Sequence, residues 1–121
     1  MLKSGPLLVM TPDLGAAREF YGEVLNLPLQ AEFDNQLVFG MGQAALHIFR
    51  CEAGAPLSRH GQDAASVITF EVASLAEAMA ALAAKGVRFL HRAPATNADC
   101  GWRYAAFEAP GGLVHELVER R

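Results

Sequence analysis

Two ionisable residues stand inside otherwise apolar runs: His47 in Ala44-Ala45-Leu46-His47-Ile48-Phe49, and Glu116 in Leu113-Val114-His115-Glu116-Leu117-Val118. An imidazole or a carboxylate in such surroundings carries a desolvation cost that alanine or valine would avoid, which makes each a candidate for chemistry. A histidine and a carboxylate brought together bind a polar ligand group or move a proton. The competing expectation is that both are lining side chains bonded to water or to neighbouring strands. Trp102 and Arg103 are candidates of another kind. An indole stacks on a planar ligand and a guanidinium pairs with an anionic one. Against this, Trp102 serves equally well as a cap on the core or on a subunit interface, and Arg103 as a solvated strand-edge residue.

The remaining reactive side chains offer less. His115 alternates away from Glu116 along the same run and reads as a packing histidine. His60 and His91 read as loop and strand-end residues without partners. Cys51 and Cys100 lie far apart, outside any C-x-x-C, with no basic cluster to activate them. They are expected to be reduced thiols of a cytoplasmic protein, a single disulfide being the lesser alternative. There is no nucleophile–His–acid order, no phosphate-binding glycine loop and no zinc-finger spacing.

These side chains need elements to position them. Leu7-Leu8-Val9-Met10 reads as a buried strand. Asp13 is a helix N-cap rather than an acid. Leu14, Ala17, Tyr21, Val24 and Leu25 then recur at helical spacing, predicting one amphipathic helix of about three turns, stopped by Pro28. Strands are expected at 29–33, 36–40 and 44–49, with turns at Asp34-Asn35 and Gly40-Met41-Gly42. Residues 52–65 contain Gly54, Pro56, Ser58, His60, Gly61 and Asp63 and read as a connecting loop. The pattern then restarts. A strand at 67–72 leads to a Ser74-x-x-Glu77 capping box, a helix to Lys85, and Gly86 as its C-cap. Strands follow at 87–91, 104–108 and 113–118, with Ala109-Pro110-Gly111-Gly112 turning between the last two. Asp13-Leu14 thus matches Ser74-Leu75, and Phe39 matches Phe107: an internal repeat.

The chain has 121 residues, 52% of them hydrophobic and 19% charged, with a formal net charge of -3. That suits one globular domain with a core, and excludes a disordered tail. Lys and Arg form no stripe, so neither nucleic acid nor an anionic membrane surface is an expected partner. No apolar stretch is long enough for a membrane helix, and Met1–Pro6 lacks a signal-peptide pattern.

Thr11-Pro12-Asp13-Leu14, Arg18-Glu19-Phe20-Tyr21 and Val24-Leu25-Asn26-Leu27-Pro28 form one motif. Phe107-Glu108-Ala109-Pro110-Gly111-Gly112 with His115-Glu116-Leu117 forms another. With the repeat, they resemble the vicinal oxygen chelate superfamily: glyoxalase I, extradiol dioxygenases, fosfomycin-resistance enzymes and bleomycin-resistance proteins. The resemblance implies an α+β fold of two tandem βαβββ modules forming a cup-shaped sheet. Module one would span about 5–51, a linker about 52–65, and module two about 66–120, all in a single domain. Metal enzymes of the family place ligands near the start of each module's first strand and in its last strand. Those positions fall on Pro6, His47, Val67 and Glu116. Proline and valine cannot ligate, so no cofactor is expected. A divalent metal held weakly by His47 and Glu116 is the lesser alternative, because tight sites use three or four protein ligands.

The resemblance implies a partly apolar cavity whose ligand-binding residues would be His47, Phe49, Thr69, Glu71, Trp102, Arg103 and Glu116. The leading expectation is a metal-free protein that binds a small molecule, sequestering a drug or metabolite in the manner of bleomycin-resistance proteins. The alternative is a lyase, isomerase or dioxygenase using His47 and Glu116 as residual metal ligands or as an acid/base pair. A third is an interaction module with a vestigial cup. Members of this length form dimers, so a homodimer is expected.

Overall fold

Alternation along each strand decides which side chains meet a helix and which face away, and this positions every candidate residue. The computed structural model describes residues 2–52, 59–62, 64 and 66–120. The chain divides into two compact units, Met1–Ala55 and Pro56–Arg121. Of the residues expected to form the connecting loop, Gly54, Pro56, Ser58 and Asp63 lie outside the described set.

The first unit contains β1 (Leu7–Thr11), α1 (Leu14–Ala17), a π-wound helical segment (Arg18–Val24), β2 (Leu29–Phe33), β3 (Gln36–Met41) and β4 (Ala44–Arg50). Its sheet has the order β1-β4-β3-β2, with β1 parallel to β4 and the other pairings antiparallel. Leu7 pairs with Leu46 and Val9 with Ile48 on the face that also carries Leu37 and Phe39. Leu37, Phe39, Leu46 and Ile48 are fully buried there, together with Leu14, Ala17 and Tyr21 of the helix.

Asp13 caps that helix as expected, its Oδ1 accepting from the Ala16 N–H at 3.0 Å. The predicted uniform helix is corrected. After one α turn the winding widens, and the Leu25 N–H donates to the Phe20 carbonyl five residues back at 2.9 Å. Spacings of three and four among apolar residues do not separate these two windings. Gly22 belongs to the close approach that results, because a Cβ there would lie 3.3 Å from the Phe39 ring. Burial pushes the Tyr21 phenol pKa well above its ordinary value of 10.0.

The second unit contains β5 (Ile68–Glu71), α2 (Leu75–Ala84), β6 (Ala95–Thr96), β7 (Arg103–Ala109) and β8 (Leu113–Glu119). Its sheet order, β5-β8-β7-β6, repeats that of the first. Ile68, His115 and Phe107 lie side by side across three strands, as do Phe70, Leu117 and Ala105. This is the helix-facing side, where Leu75, Ala105, Phe107, His115 and Leu117 are buried.

Half of the expected capping box is present: the Ser74 hydroxyl accepts from the Glu77 N–H at 3.3 Å. Glu119 supplies a second cap from the far strand, its Oε2 accepting from the Leu75 N–H at 2.9 Å. Negative charge at this end also suits the helix dipole. Gly86 adopts φ +92° just past the helix, as a left-handed terminator should. Ser74→Ala is expected to cost about 1 kcal/mol. Urea unfolding followed by circular dichroism measures it, and an unchanged midpoint would contradict the cap.

A strand at 87–91 is not found. Phe89 makes one bridge to Phe107, and the ladder resumes only at β6. Pro94 lies in the break and has no N–H to contribute.

Candidate functional site

The away-facing side of the first sheet pairs Leu8 with His47 and Val38, and Met10 with Phe49 and Gln36. His47 and Phe49 therefore share a face, with ring centroids 6.5 Å apart. The Gln36 amide donates to His47 Nδ1 at 2.9 Å. His47 also lines an open cleft of about 620 Å³ with Ser4, Gly5, Pro6, Gln43 and Ala44. Pro6, the position read as a lost ligand, is thus a wall of the cleft that His47 borders. The residue directly across from His47 is Leu8, which has no donor atom.

The second sheet's away-facing side carries more chemistry. Thr69, Glu116 and Ala106 lie side by side, and Glu71, Val118 and Tyr104 form the next row. Glu116 is not waiting for a ligand alone. The His60 Nε2–H donates to its Oε2 at 2.7 Å, with both side chains about four-fifths buried. His60 in turn packs edge-on against His91 (5.7 Å between ring centroids) and lies tilted 6.0 Å from Tyr104. His91 also stands edge-on to Tyr104 at 5.6 Å. The reading of His60 as a residue without a partner is therefore corrected: a turn residue reaches a carboxylate 56 positions later. Its signal was indirect. A carboxylate in an apolar strand needs a partner, and sequence separation gives no reason to choose His60. His91 keeps one part of its expectation, since its buried Nε2 has no hydrogen-bond partner among the described residues.

The other candidates are placed as follows. Glu71 accepts from Arg120 Nε at 2.7 Å, and the Arg120 guanidinium lies 4.7 Å over the Trp102 ring. Arg103 stands on the helix-facing side, opposite to Tyr104, with its Nη1 3.6 Å from Glu119 Oε1. The structure brings together Thr69, Glu116 and His60, links Glu71 to Trp102 through Arg120, and separates Arg103 from Glu116. His115 packs between Phe70 and Phe107 as a core histidine, with centroids 5.6 and 5.8 Å away.

Glu116 is engaged by His60, and its strand neighbours Thr69 and Ala106 add only a hydroxyl. Among the described residues no group of three or more His, Cys, Asp or Glu side chains is arranged to hold a metal ion. The donor set does not fit a tight divalent site. What it does fit is proton exchange or hydrogen bonding to a ligand. The bond from Nε2 to Glu116 fixes the imidazole's orientation and leaves Nδ1 to act on a third group.

No helix among the described residues is long and apolar enough to cross a membrane. Among curated proteins no sequence matches significantly. Solved structures match in fold. SMU.1112c aligns with TM-score 0.84 and 21% identity over 98% of this chain and 99% of that one. A glyoxalase family protein from Enterococcus faecalis aligns with TM-score 0.80 and 21% identity over 97% of each. The fosfomycin resistance protein FosX from Listeria monocytogenes aligns with TM-score 0.78 and 14% identity over 100% of this chain and 95% of that one. The family profile matches residues 3–117, which takes in both strand–helix–meander units with their two capped helices and Glu116. The chain therefore belongs to the Glyoxalase/Bleomycin resistance protein/Dioxygenase superfamily.

Proposed function

We propose that this chain binds a small, partly apolar molecule without a metal ion, sequestering a drug or metabolite. One observation carries the reading: the 2.7 Å bond between His60 and Glu116. The carboxylate at the superfamily's usual ligand position is turned toward an imidazole, on a sheet face that also carries Thr69, Tyr104 and the apolar Ala106 and Val118. A few polar groups on apolar walls are how small-molecule sites are usually made. The fold it shares with a fosfomycin resistance protein supports a ligand of that size class.

A second reading has its own support in the same pair. A histidine held by a carboxylate is poised as a general base, so a lyase or isomerase reaction would run through His60 and Glu116. Within its own unit His47 is bonded to Gln36, and Glu116 to His60.

Native mass spectrometry of protein purified without chelator tests the binding reading. Copurified organic ligand and no stoichiometric metal are expected; one metal ion per chain would overturn it. With the captured ligand identified, His60→Gln and Glu116→Gln should each weaken binding at least tenfold, about 1.4 kcal/mol. Turnover of that ligand would favour the second reading. The same spectra should show a homodimer, a proposal supported by the exposed Leu8, Met10 and Phe33 of the first unit (54%, 50% and 61% accessible).

A further inference from the structure

Gln36 opens β3 immediately after the Asp34-Asn35 turn, directly across from Phe49 of β4. Arg50 holds that turn: its N–H donates to the Asn35 carbonyl at 3.0 Å and its Nη2 to the Asp34 carbonyl at 3.2 Å. The Gln36 side chain therefore stands on the sheet face that carries His47, one row along from it. An amide nitrogen carries hydrogens and no lone pair, so its 2.9 Å contact with His47 Nδ1 runs one way only, from Gln36 to the ring. A neutral imidazole that accepts at Nδ1 has its proton on Nε2.

The surroundings of the ring give that proton a use. Nε2 of His47 has no hydrogen-bond partner among the described residues and is not one of their buried, unbonded nitrogens, so it is open to solvent. Gln36 reaches the ring from the Phe49 end of β4, and the cleft of about 620 Å³ lies toward the Ala45 end. His47 stands between the two. The cleft is lined by Ser4, Gln43 and small or apolar residues, with no charged side chain. Histidines that ligate a metal show the reverse arrangement: their second nitrogen donates to an acceptor, and the ligating one keeps its lone pair.

We infer that Gln36 is a positioning residue that holds His47 as an N–H donor, so that the cleft receives the carbonyl oxygen of an uncharged small molecule, an amide or ester, in place of a metal ion. An uncharged ligand fits because the lining offers no counter-charge. The ligand assignment rests on the metal-free binding proposed above. The tautomer does not, and neither draws on the His60–Glu116 pair.

Long-range 1H–15N NMR of the full chain, in mildly alkaline buffer where histidine is neutral, reads the tautomer directly. His47 should be protonated at Nε2. Gln36→Glu replaces the donor by an acceptor of the same size and should move the proton to Nδ1. Unchanged amide shifts at Leu14–Ala17 would show that this variant is folded. N,N-dimethylbenzamide and N,N-dimethylbenzylamine are suitable ligand probes, since they differ only in whether a carbonyl or a methylene joins ring and nitrogen. The amide should perturb residues 4–6, 43–45 and the His47 ring and bind several-fold more tightly than the amine; Gln36→Glu should abolish that preference. A wild-type ring protonated at Nδ1, or a tautomer unmoved by Gln36→Glu, would overturn the role of Gln36. The expected tautomer with equal binding of the two probes, or with no binding, would overturn the carbonyl assignment. In either case the copurified ligand and the Glu116 variants would still decide the binding reading of the second unit.

Discussion

Phe107→Ala is expected to destabilise the protein by about 3–5 kcal/mol, the usual range for a phenylalanine removed from a packed core. Phe107 is fully buried, and its ring contacts Phe70, Phe89 and His115 at centroid distances of 6.2, 5.7 and 5.8 Å. It also sits on the strand that holds Ala106 beside Glu116. Domain stabilities are only about 5–15 kcal/mol, so such a loss should leave a substantial unfolded fraction on mild warming. Urea unfolding followed by circular dichroism gives the number. Phe107→Leu leaves a smaller cavity and should cost less. A loss below about 1 kcal/mol for the alanine variant would contradict the packing described for this ring.

The second expected result is a fall in stability with acidification that traces to one residue. Burial of the His115 imidazole lowers its pKa from 6.5 to about 4, a hydrogen bond involving the Val114 backbone offsetting part of the effect. The folded protein thus holds this ring neutral, while the unfolded chain takes up a proton near pH 6.5. Between about pH 6.5 and pH 4 the unfolded state binds more protons, so stability must drop as pH falls. Below about pH 4 the folded state is protonated too, and the contribution levels off. The difference between 6.5 and about 4, at about 1.36 kcal/mol per pH unit, is on the order of 3 kcal/mol. Urea titrations at pH 7 and pH 4.5 should show the native chain losing more stability than His115→Phe over that interval. An equal loss in both would show that other groups carry the acid sensitivity.

Much of the framework was legible because its signals are local. Asp13 and Ser74 announce their helices through hydrogen bonds that span three residues, and both bonds form. The strands around His47 and Glu116 were visible as apolar runs, and their alternation separates His115 from Glu116 correctly. The failures have physical causes of longer range. The widened winding from Arg18 to Val24 brings Gly22 close to the Phe39 ring, a long-range contact that no spacing within the helix encodes. The expected strand at 87–91 has the right composition, but its pairing is interrupted before Pro94. At the site, Glu116 was found because a carboxylate is conspicuous among valine and leucine. His60 was not, because a polar turn is an ordinary place for histidine, and only the fold reveals what lies beside it.

The strand orders β1-β4-β3-β2 and β5-β8-β7-β6 have a consequence in time rather than in space. In each unit the strand made last is an inner one, inserted between the strand made first and the one made just before it. During synthesis β5 therefore emerges without its neighbour, and the acceptor for the Leu75 N–H arrives 44 residues later, with Glu119. Contacts of such separation close slowly. A nascent chain halted before residue 113 holds an antiparallel ribbon and a helix that has its Ser74 cap but lacks the Glu119 one, with no strand to join them. Assembly of the second unit is thus a single late event, and the histidine–carboxylate pair comes into being only when that event is over.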